Sequence, residues 1–270
     1  MLARADHDQP SVFLPGNLLR EARRQRNLAP GDVPSVCLLD PDGDIVRHLR
    51  QGDRATRSAT WACYHTDLWV TELDGMEIGI VGCAVGAPFA VLVAEELFAS
   101  GCRFLVSITS AGKISPDQDL PEVILIDRAL RGEGTSLAYV RQATAIDADR
   151  CLIAAVRDGL DGSGIAVGQG TAWTTDAPFR ETELAIAAAR RAGAIVVEME
   201  AAALYAFGAA RNQPVACFAQ ATNTMAIDHG DFEKGPHNGA ERALAVAVAA
   251  ARGWLDAGAT GGPDAPALPG

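Results

Sequence analysis

At Glu198-Met199-Glu200 two carboxylates flank a methionine, where the apolar run 194–197 gives way to alanine-rich sequence. A carboxylate at such a junction can accept hydrogen bonds from both hydroxyls of a vicinal diol, and a methionine packs its soft thioether against a sugar ring. Glu200 also has a plain structural role open to it, because an acid at a helix N-terminus is favoured by the helix dipole. That role leaves a second acid, directly after a buried strand, without a reason. Sugar binding suits both.

Such a junction needs a strand and a helix to hold it, and the chain supplies them in alternation. Apolar runs predict strands over 35–39, 104–109, 123–126, 164–173, 194–197 and 214–220. A helical turn is expected over 43–50. Helices are expected over 87–100, 147–159, 181–192, 200–211 and 238–255, the first with Pro88 in its opening turn and Gly101 at its stop. Asp74-Gly75 predicts a hairpin joining 67–73 to 76–83. Strands separated by helices imply right-handed crossovers, a mostly parallel sheet, and a ligand site at the strand C-terminal ends. The places to look are therefore the loops after Thr109, Trp173, Val197 and Gln220. No linker or repeat interrupts the pattern, so one domain is expected over 13–257, with a loose arm at 1–12 and a disordered tail at 258–270.

Composition narrows the function classes. With 49% hydrophobic and 21% charged residues in 270, disorder of the body is excluded. Thirty-four acidic against 23 basic residues give a net charge of −11, which argues against nonspecific binding of nucleic acid or an acidic membrane. No apolar stretch of about 18 residues suggests a spanning helix, and the N-terminus lacks a signal core. The six cysteines are scattered without a Cys-x-x-Cys pair and read as reduced core residues of a cytoplasmic protein. The five histidines are not spaced like metal ligands, so no metal is expected.

Val197-Glu198-Met199-Glu200-Ala201-Ala202-Ala203 resembles the ribose-binding signature of the nucleoside phosphorylase-I family, which includes purine nucleoside and uridine phosphorylases. The resemblance runs over roughly 35–255. Residues 58–105, with Glu72-Leu73-Asp74-Gly75 and Glu95-Glu96-Leu97, are similar to the uridine phosphorylase branch. Thr109-Ser110-Ala111-Gly112 resembles the family's Gly-Thr/Ser-x-Gly loop. Segments 127–136 and 175–179 also have counterparts. The resemblance implies a three-layer α/β/α fold with a central mixed, mostly parallel sheet. It also implies a homo-oligomer, a hexamer or trimer of dimers, in which a neighbouring subunit completes the site. Ribose would be held by Glu198, Met199 and Glu200, with His65 reaching a site of the neighbour.

Asp42-Gly43-Asp44-Ile45-Val46-Arg47 resembles the family's Gly-Asp-Pro-x-Arg phosphate loop. On that reading the backbone at Gly43 approaches an oxyanion, Arg47 donates a charged fork, and Ser110 adds a donor. The other reading of Gly43 is an ordinary Asp-Gly turn. The chain departs from the family at two further arginines, whose positions hold Ser107 and Tyr64. Lys113 and Arg57 are the nearby candidates to replace them. Base recognition differs too. Asn223 stands where purine-specific members carry an aspartate; it can hydrogen-bond a base but not protonate one. Phe179 is placed to stack on the base or to pack in the core, and Arg180 and Glu181 to read the base or to start a solvated helix. The polar loop 228–235 falls where a cover over the base would sit.

The expected reaction is phosphate-dependent cleavage of a nucleoside's N-glycosidic bond, with a pyrimidine or 6-oxopurine base favoured. Its products are free base and a pentose 1-phosphate, with inorganic phosphate as co-substrate and no other cofactor. Arg47, Glu200 and Asn223 form the expected catalytic set. Two readings stand beside it: a hydrolase of the same fold using Asp42 or Asp44 to activate water, and a non-catalytic nucleoside-binding protein. Neither nucleic acid nor membrane is an expected partner.

Overall fold

A computed structural model describes residues 7–114, 120–222 and 234–258. The first half runs α1 (Pro15–Arg26), β1 (Val36–Asp40), α2 (Asp44–Gln51), β2 (Thr56–Arg57), β3 (Leu68–Leu73), β4 (Met76–Gly82), α3 (Ala87–Ala99) and β5 (Phe104–Lys113). The second half runs β6 (Val123–Gly132), α4 (Ser136–Tyr139), β7 (Ala145–Asp147), α5 (Arg150–Ser163), β8 (Gly168–Thr175), α6 (Glu183–Arg191), β9 (Ala194–Glu198), α7 (Ala201–Arg211), β10 (Val215–Ala221) and α8 (Ala240–Asp256). Among the described residues, no helix is long and apolar enough to cross a membrane.

All strands join one mixed sheet. β1 lies between β4 and β5, and β5 pairs with β10, all four parallel. β6, β8 and β9 form a second parallel set, joined to the first by antiparallel pairings of β10 with β6 and β5 with β9. The pairings β5–β10–β6–β8–β9–β5 therefore close on themselves. Helices cover both sides. α2, α5 and α8 pack together on one, and α1, α3, α4 and α7 on the other. The interior is built of β1, β4, β5, β6 and β10 side chains with the alanine-rich faces of α3, α7 and α8, which bring helix close to sheet.

The sheet exceeds the sequence expectation at β5. Residues 110–113 continue the strand instead of forming a loop, because Gly112 and Lys113 pair with Val197 and Val196 of β9. That pairing sets Ser110 and the end of β9 side by side. β6 likewise runs to Gly132, with a register shift between Ile126 and Arg128. The cysteines also differ from expectation: Cys83 and Cys151 are exposed, while the other four are buried. Residues 1–6 of the expected arm and 259–270 of the expected tail lie outside the described residues.

Candidate active site

α7 has no capping side chain at its own N-cap, Glu200. Glu198, the last residue of β9, supplies the cap instead. One of its oxygens accepts the backbone N–H groups of Glu200 and Ala201, both at 2.7 Å. The other accepts the Thr174 hydroxyl, whose oxygen accepts the N–H of Ala202 at 2.9 Å. Three orphan donors of the helix start are satisfied by this buried pair. Glu198 is therefore a structural group here, contrary to its expected contact with ribose.

Relieved of capping, the Glu200 carboxyl turns the other way. Its Oε1 accepts the Gly86 N–H at 2.7 Å. Its Oε2 is buried and makes no well-formed hydrogen bond among the described residues, while the neighbouring Thr109 hydroxyl, with the Gly86 N–H, favours the ionised carboxyl. Only 1% of the residue is exposed. Burial, the Glu198 charge and, more weakly, Asp42 push its pKa up, so that it holds a proton more readily than a free carboxyl does. A buried acceptor without a partner is costly unless a ligand donates to it. Met199, half-buried, has its methyl group over Gly86, where a Cβ would lie 4.0 Å away.

The residues expected to meet phosphate lie on α2, on β5 and in the turn between β1 and α2. Gly43 is left-handed at φ +74°, and a Cβ there would lie 2.5 Å from Cys83 Sγ. Glycine is thus required for the turn itself. Its N–H is held by the Asp40 carbonyl at 2.9 Å and the Asp40 carboxylate at 3.1 Å. The same carboxylate accepts the Val46 N–H at 2.9 Å, so Asp40 serves the start of α2 and the Gly43 N–H is not left open to an external oxyanion. Ser110 donates its N–H at 2.8 Å and its hydroxyl at 2.9 Å to the two oxygens of Asp42. Lys234 completes this cluster, with Nζ 3.0 Å from Asp42 and 2.5 Å from Asp44, and only 7% of its side chain exposed. Arg47 pairs with Asp44 and is half exposed.

The remaining predicted residues scatter. Ser107 is buried in β5 with its hydroxyl unpartnered among the described residues. Tyr64 donates to Gln25 of α1 at 2.8 Å, and His65 is exposed, edge-on to Phe89. Arg57, a candidate arginine replacement, instead pairs with Asp67 on the outer strands of the sheet. Phe179 is 99% exposed, so within one chain it packs against neither core nor site. Arg180 beside it is exposed, and Glu181 is half-buried with its pKa raised by burial. Asn223, and residues 228–233 of the expected cover, lie outside the described residues. A separate cleft of about 510 Å³, lined by Cys151, Tyr205, Pro214 and Trp254, lies at the other end of β10 and contains none of the predicted residues.

The sequence profile of the phosphorylase superfamily matches residues 39–252. The chain belongs to that superfamily. The match spans β1 through most of α8, so it includes both the Glu200 junction and the Asp42–Ser110 contact. Among individual superfamily members, a uridine phosphorylase of Thermococcus kodakarensis is 29% identical over 148 residues, 54% of this chain and 53% of the relative. The chain thus matches about half of that relative's length. A DeoD-type purine nucleoside phosphorylase of Myxococcus xanthus is 28% identical over 189 residues, 67% of this chain and 77% of the relative. A solved uridine phosphorylase of Vibrio fischeri shares the superfamily fold at a TM-score of 0.67 and 21% identity, covering 86% of this chain and 93% of that one.

Proposed function

We propose that the chain is a nucleoside phosphorylase. The observation that carries this reading is the buried Glu200 carboxyl, which has one oxygen without a well-formed hydrogen bond among the described residues and feels the Asp42 charge. The two hydroxyls of a ribose donate to Glu200, and Met199 packs under the ring. A pyrimidine or 6-oxopurine base suits Asn223, which cannot protonate N7. Inorganic phosphate, the co-substrate, is met by Ser110 and Arg47. As the C1′–N bond breaks, the base leaves with the electron pair and takes up a proton, and a phosphate oxygen forms the new bond to C1′. Holding donor and acceptor in register, with fixed charge near the oxocarbenium-like carbon, supplies most of the rate. The exposed faces of His65 and Phe179 suit a homo-oligomer in which a second subunit completes the site.

Hydrolysis is the second reading, and one observation favours it: the Asp42 carboxylate already sits on the Ser110 donors. The test is a panel of uridine, inosine, guanosine and adenosine, with and without phosphate, scored by free base. Phosphate-dependent release from uridine, inosine or guanosine supports the proposal. Equal release without phosphate replaces it with hydrolysis, and nucleoside binding without release leaves only a binding protein.

A further inference from the structure

The acceptor side of the site contains an anion that belongs to the protein. Ser110 N–H, Ser110 Oγ and Lys234 Nζ converge on the two oxygens of Asp42, at 2.8, 2.9 and 3.0 Å. These are a backbone amide, a hydroxyl and a buried ammonium, the donor set that receives an oxyanion. The lysine is reached from 190 residues downstream of Asp44 and is nearly sealed from solvent. The buried Glu200 carboxyl feels the Asp42 charge, and its Oε2 has no well-formed hydrogen bond among the described residues.

We propose that Asp42 is a built-in occupant of the acceptor-phosphate position, and that Lys234 is the cation that exchanges it for phosphate. The inference rests on the phosphorylase reading and adds how the acceptor is admitted. Rotation of the Asp42 side chain away from β5 releases the two Ser110 donors and one contact of Lys234, which keeps its bond to Asp44. An incoming phosphate then takes the same hydrogen bonds and brings a larger negative charge to Lys234. Asp42 is ill placed as a general base for water. Three donors, one of them cationic, already occupy its two oxygens. Lys234 also takes the part that the missing arginines at Ser107 and Tyr64 leave open, with Asp44 holding it in place when phosphate is absent.

The experiment measures inorganic phosphate binding by calorimetry, without nucleoside, for the wild-type chain and for Asp42→Ala, Asp42→Asn and Lys234→Met. Asn keeps the shape of the loop should Ala fold poorly. Removing the competing carboxylate is expected to tighten phosphate binding at least tenfold in both Asp42 variants, and Lys234→Met to weaken it at least tenfold. The KM for phosphate, where turnover depends on phosphate, is expected to move the same way. Unchanged or weaker binding in the Asp42 variants overturns the proposal, as does unchanged binding in Lys234→Met. Failure of the phosphorylase reading shows separately, as phosphate-independent base release by the wild-type chain. If Asp42→Asn then abolishes that release, Asp42 is a base for water and the proposal is overturned as well.

Discussion

Glu198 and Glu200 stand two residues apart, both buried, and do different work. Glu198 is surrounded by donors of the α7 start, while Glu200 keeps one oxygen without a well-formed hydrogen bond among the described residues. A ribose hydroxyl that donates to Glu200 favours its ionised form. The free group has a raised pKa, from burial first and Glu198 second, so binding must drive off a proton. Ribonucleoside affinity is therefore expected to rise with pH and to level off once Glu200 ionises unaided. Glu200→Gln should remove that slope and lower kcat/KM for ribonucleosides at least tenfold, about 1.4 kcal/mol, with the far-ultraviolet spectrum unchanged. A wild-type profile without slope, or an unchanged kcat/KM, removes Glu200 from the sugar site. The Glu-Met-Glu pattern could be read from sequence as a site, but the division of labour could not. It depends on Thr174, which reaches Glu198 across a strand pairing that spacing does not reveal.

At the scale of elements, the start of α2 carries its own pH dependence. Asp40 sits at the end of β1, buried, and accepts the Gly43 and Val46 N–H groups. Burial, opposed by these bonds and assisted by Asp42 and Asp44, raises its pKa to about 7. The folded chain thus prefers the proton more than the unfolded chain does. The stability this group contributes is complete below its unfolded pKa near 3.8 and is lost as pH rises to about 7. Asp40→Asn cannot ionise, so its stability relative to wild type should improve by on the order of 4 kcal/mol between pH 4 and pH 8. Urea unfolding at the two pH values checks this, and a constant difference contradicts it. Elements with strong local signals were legible: the Asp74-Gly75 hairpin, the Pro88 helix and the strand before Glu198. The extension of β5 to Lys113 was not. Its cause is antiparallel pairing with a strand some 80 residues later, which no local pattern at 110–113 announces.

Across the whole molecule, the acceptor site is assembled from the β1–α2 turn, the end of β5 and the segment ahead of α8. A chain of net charge −11 must gather cations locally to hold a phosphate dianion. Lys234 and Arg47 gather at this end of the sheet, each balanced by Asp42 or Asp44, and on the proposed function they are the cations that would meet it. Arg47 could be proposed from its loop pattern, and the structure shows it paired with Asp44. Lys234 was only part of a polar run, because its role arises from contact with residues about 190 positions away. Whether phosphate is the acceptor is read by phosphorus NMR during turnover of the nucleoside that releases base fastest. A phosphorylase consumes one inorganic phosphate per base released, with a new sugar 1-phosphate resonance coupled to the anomeric proton. Base release with the inorganic phosphate resonance undiminished, and free pentose in solution, contradicts the phosphorylase reading.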